Sequence, residues 1–155
     1  MEYKQPPPLT EEEITDFVQK MKIARFCSLN KDGSIHAVPV WYAFKDGEFI
    51  IGTPSRSQKA RNVMRDNRVT LVIDNQEEQT KGVIIYGRVE MSLEDTKEAA
   101  VHIFRRYMSE EKAVQHYNGL SKIAKFLKLT VKPYRYASFD YDKDKIYRKA
   151  IRGEL

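Results

Sequence analysis

A single cysteine, Cys27, is found in the whole chain, so no internal disulfide and no multi-cysteine metal site can be built. It sits in an apolar strand pattern, where it reads as a buried, inert thiol. No apolar run is long enough to cross a membrane and no signal-peptide pattern is present, so a cytoplasmic protein is expected. Neither a Gly-x-Gly-x-x-Gly nor a Walker-type glycine–lysine loop occurs, which leaves a nucleotide site of either kind unsupported. No Gly-x-Ser-x-Gly elbow is found. The three histidines, His36, His102 and His116, lack carboxylate or thiol companions at ligand spacing. Asp32, Asp46 and Asp66 read as turn and cap residues rather than a catalytic pair. Together these absences exclude a recognisable hydrolytic or metal centre, and any enzymatic chemistry has to come from a cofactor.

What is present is an ordinary soluble composition, 41% hydrophobic and 32% charged, in a chain of 155 residues, the size of one domain. The formal net charge of +5 permits an anionic ligand. Because the basic residues are scattered along the chain, nucleic acid is not implied.

The clearest architectural signal is a series of β-forming runs, Ile23 to Leu29, Ser34 to Phe44 and Glu48 to Gly52. Lys31-Asp32-Gly33 and Lys45-Asp46-Gly47 join them, and Asp-Gly between such runs predicts hairpins, here two in succession as an antiparallel meander. The middle run is apolar on both faces, which fits a barrel strand also covered from outside by a helix or a second subunit. Pro39 within it cannot donate to a ladder and belongs at an edge, a bulge or a place where pairing parts. Further strands are expected at Val69 to Asp74, Gly82 to Met91, Ala124 to Val131 and Tyr134 to Tyr141. Gly87 marks a bulge or a close backbone approach.

Thr10 and Glu13 form a capping-box pattern ahead of Ile14, Phe17, Val18 and Met21, predicting a first helix to about Met21. Helices are also expected over Leu93 to Met108 and Glu110 to Tyr117, the latter ending at Asn118-Gly119. Residues 1–9 form an extended arm, and 142–155 a last strand or an arm over a neighbour. The sum is one domain over 1–155, mainly β and α+β by content: a six-stranded antiparallel split β-barrel with flanking helices.

The stretch from Gly52 to Arg68 carries the functional signal. Thr53, Ser55 and Ser57 precede Lys59 at the start of a short helical pattern in which Ala60, Val63 and Met64 share a face. Arg56 and Arg61 are interleaved. Hydroxyls and free amides at a helix start, with a cation in the first turn, suit a dianionic phosphate. The same residues also fit a plain turn with Ser57 as N-cap.

The order of these parts resembles the pyridoxamine 5′-phosphate oxidase-like flavin-binding split barrels. The resemblance rests on His36-Ala37-Val38-Pro39-Val40-Trp41, Phe49-Ile50-Ile51-Gly52-Thr53, Ser57-Gln58-Lys59, Arg65-Asp66-Asn67-Arg68-Val69 and Gly87-Arg88-Val89-Glu90. It covers Ile23 to Met91, with architecture alone beyond. It implies a homodimer with two FMN sites at the subunit interface. Thr53, Ser57 and Lys59 would hold the FMN phosphate, with Gln58 between them. The main chain of His36, Ala37, Val38, Pro39 and Val40 would run beside the flavin ring, and Ile51 and Gly52 near the ribityl chain. Asn75, Gln76 or Tyr86 would come from the second subunit.

The chain departs from the vitamin oxidases in having Gln58 where they carry a basic residue. It also lacks, in Phe139 to Leu155, a counterpart of their longer C-terminal segment. The early segment is closer to the branch that uses FMN or a deazaflavin coenzyme, some of whose relatives bind haem or tetrapyrrole. The expected function is thus a flavin-dependent oxidoreductase acting on a small molecule by hydride transfer. The alternatives are a deazaflavin-dependent reductase, a storage or sensing protein without turnover, or a nucleic-acid module using Arg56, Arg61, Arg65 and Tyr134 to Tyr141.

Overall fold

The structure is a computed structural model that describes residues 4–75, 77–78 and 80–155. Its centre is a curled antiparallel sheet of seven strands: β1 (Ala24–Leu29), β2 (Ile35–Val40), β3 (Ala43–Lys45), β4 (Glu48–Pro54), β5 (Arg68–Asp74), β6 (Lys81–Ser92) and β7 (Phe126–Asp140). The strands lie in the order β2-β1-β5-β6-β7-β4-β3. Both Asp-Gly hairpins form, with Asp46, Gly33 and Gly47 at positive φ. They do not make a meander, because β1–β2 lies at one end of the sheet and β3–β4 at the other.

The expected middle strand breaks at Trp41 and Tyr42 into β2 and β3, and the sheet has seven strands rather than the six expected. β2 and β3 become the two edges, joined by a two-residue strap, so the sheet is a half-barrel rather than a closed one. Pro39 faces Arg25 on edge strand β2, where its missing N–H costs no ladder bond on the open side.

At the other end of the chain the expectation errs in the opposite sense. Lys132-Pro133 does not end a strand, and β7 runs through it. The register shifts between Tyr86 and Gly87, whose partners are Arg135 and Pro133, so Tyr134 is the extra residue of a bulge. Gly87 does mark a close approach: a Cβ there would lie 2.7 Å from Val131 Cγ1.

The concave face of the sheet holds the core. Phe26, Phe49, Ile51, Leu71, Ile73, Val83, Ile85, Leu129 and Val131 are all fully buried on it. Alternation puts every second residue there because the side-chain period of a strand is two. Helix α1 (Glu11–Lys20) covers the core with Phe17 and Val18, and its capping box is complete between Thr10 and Glu13. Lys143 and the Thr10 amide hold the Glu13 carboxyl down to about 2. α2 (Gln58–Arg65), α3 (Thr96–Phe104) and α4 (Glu110–Leu120) follow the expected order, but α4 continues through Asn118-Gly119. Residues 141–151 form a 3-10 turn and helix α5 (Lys145–Ile151) in place of a last strand. Asp140, Asp142 and Asp144 explain part of this. Asp140 and Asp144 cap the two segments with their side chains.

Among the described residues the convex face is open along β1 and β2. Ile35 is 71% exposed there, with Ala37 and Pro39 exposed beside it. Cys27 lies among them, half-buried and facing away from the core, and burial pushes its thiol up. No helix among the described residues is long and apolar enough to cross a membrane.

Candidate functional site

The site is built around the turn from β4 into α2. Ser57 takes an extended N-cap conformation, and its hydroxyl accepts the Ala60 amide at 3.2 Å. Thr53 is fully buried and its hydroxyl lies 2.8 Å from that of Ser57. Thr53 therefore fixes the cap from beneath and is itself out of a ligand's reach. The Ser55 amide donates to the Lys125 carbonyl at 2.7 Å, anchoring the turn to the start of β7. The first amides of a helix have no intrahelical acceptor. Here the Ala60 and Arg61 amides go to Ser57, which leaves those of Gln58 and Lys59 at the open end.

Lys59 is half-buried, and loss of hydration lowers its ammonium below the usual lysine range. It has no carboxylate partner among the described residues, and α2 carries no acid in its first turn. A desolvated, unpaired cation beside free amides favours an anion.

Lys59 opens into a cavity of about 250 Å³ that Pro39, Val40 and Gly52 also line. Gly52 is not at positive φ, and a Cβ there would meet nothing within 4 Å. The protein's own packing thus gives no reason for glycine at 52, whereas a ligand running along β4 would need the space. Opposite this floor stand Phe104 of α3, Tyr117 and Leu120 of α4, and Phe126 of β7. The strap residue Trp41 closes the side.

An arginine holds the strap in place. Arg106 donates to the carbonyls of Tyr42, Gln19 and Met21, the last two at 2.8 and 2.7 Å, and its guanidinium lies 4.6 Å from the centre of the Tyr42 ring. The Tyr42 amide donates to the Tyr107 hydroxyl at 3.1 Å, and Trp41 stacks on Tyr107 at 4.3 Å. The Tyr42 hydroxyl, pushed up to about 12 by burial, stays protonated and donates to the Val18 and Met21 carbonyls.

The residues singled out in the sequence fall into separate groups. Pro39, Val40, Gly52 and Lys59 meet at the cavity, while His36 and Gln58 border a second, more open depression with Asn30, Lys31 and Asp32. Because Gln58 and Lys59 are consecutive, the two depressions flank the same first turn. Ile51 is fully buried in the core, Val38 packs partly against it, and Ala37 is exposed on the convex face. Asn75 accepts the amides of Glu77 and Glu78, and Tyr86 lies under the Arg135 guanidinium at 4.0 Å. Gln76 lies outside the described residues.

The helix face differs from the expected one. Met64 is 61% exposed, and Asn62 is fully buried in its place. The Asn62 amide donates to Ser28 Oγ at 3.0 Å and Asn30 Oδ1 at 2.9 Å, and accepts from Gln58 Nε2 at 2.9 Å. Arg61 in turn donates to Gln58 Oε1 at 2.7 Å. This network, missed in the sequence, locks α2 to β1 and orients Gln58. Among the described residues no cluster of His, Cys, Asp and Glu could hold a metal ion.

A curled antiparallel sheet, parted where a two-residue strap joins its edges and bearing a basic turn at the end of β4, is a split barrel. The chain belongs to the pyridoxamine 5′-phosphate oxidase family, whose model matches residues 10–136. Among solved structures it is similar to the conserved hypothetical protein Rv2991 from Mycobacterium tuberculosis, with 29% identity and a TM-score of 0.73 over 91% of this chain and 92% of that one. An F420 reductase is similar at 13% identity and a TM-score of 0.64, over 79% of this chain and 94% of that one. A FAD-binding protein from Mesorhizobium loti is similar at 19% identity and a TM-score of 0.62, over 85% and 95% of the two chains. The last two likenesses are of fold alone. No curated protein matches the chain.

Proposed function

We propose that this chain is a homodimeric flavoprotein oxidoreductase that binds FMN at the β4–α2 turn. The observation that carries the reading is Lys59, half-buried and unpaired at a helix start, beside a Gly52 that packing does not require. The FMN phosphate would take the Lys59 ammonium, the Gln58 and Lys59 amides and the Ser57 hydroxyl. Thr53 acts through Ser57 as a positioning residue. Gly52 leaves room for the ribityl chain, and the backbone of His36 to Val40 flanks the ring. When bound, the flavin supplies hydride transfer, and the chain's own task is to bind, orient and exclude water. Family membership supports a flavin, and two proteins of similar fold, an F420 reductase and a FAD-binding protein, point the same way.

The second subunit would cover the convex face, where Ile35, Ala37 and Pro39 are exposed on the same strand that lines the cavity. An apolar sheet face of this kind is unusual on a monomer.

A deazaflavin coenzyme is the second reading. Its longer tail needs a groove beyond Lys59, and the depression bordered by Lys31, His36 and Gln58 lies there, about 500 Å³ in volume.

The test is an absorption spectrum of the purified protein after excess FMN and desalting. Flavin bands near one FMN per chain support the assignment, and a colourless protein that instead retains the deazaflavin coenzyme replaces it. Sedimentation of the same sample reads the dimer.

A further inference from the structure

We propose that the depression on the far flank of α3, away from the cofactor cavity, is a second ligand site. It takes a zwitterionic amino compound whose ammonium and carboxylate are separated by a short hydrocarbon. The ammonium is received by Asp95 and Glu98, and the carboxylate by Lys45 and Lys128. None of these four residues lines the cofactor cavity, and the site does not depend on the FMN reading.

Helix α3 divides two spaces of different kind. Ala100, Ile103 and Phe104 border the cofactor cavity. Glu98, His102 and Arg105, four and three positions apart, share the other flank and border a space of about 540 Å³. The sheet supplies its opposite side. Ile50 lies between the buried Phe49 and Ile51 and so faces away from the core. Lys128, opposite Gly52 in the β4–β7 register, and Lys45, opposite Glu48 in the β3–β4 register, fall on that same face. Ile50, Ala99 and Val101 add apolar surface to the lining.

The charges of this depression are left apart. Elsewhere opposite charges within reach close on one another, as Arg25 does on Asp74, Arg68 on Asp66, Lys132 on Glu90 and Lys143 on Glu13. Here only Arg105 and Glu110 approach, at 3.9 Å. Among the described residues, Lys45, Lys128, Asp95 and Glu98 have no ion pair within 4.0 Å. Asp95 is spare in a second sense. It is the N-cap of α3, a position whose carboxylate normally accepts a helix amide. Yet it sits in the left-handed region at φ 54° and makes no such bond, and it lines the depression instead. His102 adds a neutral donor. A guanidinium can only donate, so Arg105, at 3.0 Å, gives a hydrogen to His102 Nδ1 and leaves the ring's own hydrogen on Nε2. Burial, with the Arg105 and Lys45 charges, holds the ring below the usual histidine range.

The balance of charge narrows the occupant. Lys45, Lys128 and Arg105 are matched in number by Asp95, Glu98 and Glu110. A simple anion or cation meets attraction and repulsion together here, whereas a dipolar compound answers both signs at once. Because the opposed groups stay more than 4.0 Å apart, the ligand's charges are set apart too, and the apolar lining suits the hydrocarbon between them. A dry cavity of roughly 150 Å³ already holds a six-carbon ring, so a six-carbon chain has room.

The probe is 6-aminohexanoate, titrated into the full chain by saturation-transfer NMR with and without FMN. Hexanoate and hexylamine are the single-charge controls. 6-Aminohexanoate should bind in both states, roughly fivefold more tightly than either control, and should weaken as salt rises. Lys128→Glu should remove that preference in favour of hexylamine, and Glu98→Lys in favour of hexanoate, with unfolding midpoints close to the parent's. Absence of 6-aminohexanoate binding overturns the proposal, as does a control that binds the parent equally well. Selectivity unchanged in both variants also overturns it. Displacement of 6-aminohexanoate by FMN does the same, since the depression then belongs to the cofactor. Selective 6-aminohexanoate binding in a protein that takes up no FMN upholds this site and overturns the cofactor assignment instead.

Discussion

At Gly87, in the β6–β7 wall, an added methyl would meet Val131 Cγ1 at 2.7 Å and the Lys132 carbonyl oxygen at 3.0 Å; at Gly52, on the cavity side of β4, it would meet nothing within 4 Å. Both are strand glycines, and the sequence does not tell them apart. Gly87 exists because a neighbouring strand comes too close for a side chain, so its reason lies inside the protein. Gly52 has no such reason, and the space before it is kept for something else. The same contrast holds for two polar groups of α2. Asn62 is buried with every bond answered inside the chain, whereas Lys59 is half-buried with no side-chain partner among the described residues. One set of residues holds the split barrel together, and the other leaves it incomplete.

Substitutions separate the two sets. Gly87→Val should lower unfolding free energy in urea by about 3 kcal/mol, because backbone as well as side chain must move. A loss below about 1 kcal/mol would show that β7 yields at its bulge. Asn62→Leu should cost about 2 to 3 kcal/mol of stability, since Ser28, Asn30 and Gln58 lose a buried partner. Lys59→Ala should behave in the opposite way. FMN binding weakens by about 2 kcal/mol, roughly thirtyfold, as a charge-assisted bond is lost, while thermal stability holds or rises on removal of a desolvated cation. Unchanged FMN affinity in a fluorescence titration would remove the phosphate assignment. Gly52→Ala should lower FMN affinity by about 1 kcal/mol and slightly stabilise the strand, because alanine loses less chain entropy than glycine.

The smallest effect is one of pH. Burial lowers the Lys59 ammonium, so the charged form costs folding stability in full below that lowered value, and the cost is relieved as pH rises from it to the ordinary lysine value of the unfolded chain. A bound phosphate favours the same ammonium. FMN affinity is therefore full below the free protein's value and falls as pH climbs through it, before the usual lysine range is reached. A severalfold decline in titrations between neutral pH and about pH 10 is expected, and Lys59→Ala should flatten it.

Much of this was legible beforehand because it is local. The Thr10–Glu13 box, the two Asp-Gly turns and the Ser57 cap depend on neighbours a few residues away, and each formed where the chain indicates. What escaped depends on distant partners. The strap at Trp41 and Tyr42 reads as strand, because Arg106, which pins it, arrives only through the fold. Pro133 reads as a stop because the bulge that accommodates it is set by Gly87 on another strand. Asn62 looks like a solvated helix residue, since Ser28 and Asn30 lie more than thirty positions earlier. The hairpins were visible but not their separation, which requires β7 to come between β6 and β4.

That insertion has a consequence for the order in which the protein can assemble. A ribosome delivers β1, β2, β5 and β6 early, and those four can pair as they emerge. The β3–β4 hairpin emerges among them yet has no neighbour to join until Phe126–Asp140 is made, because β7 alone bonds to both β6 and β4. During synthesis the hairpin therefore waits with one open edge, tethered to β2 through the strap. The α3–α4 pair emerges in that interval and is positioned to shield it, since α3 packs on β4. The late strand is thus the closing stitch, and damage to it exposes both halves of the sheet at once.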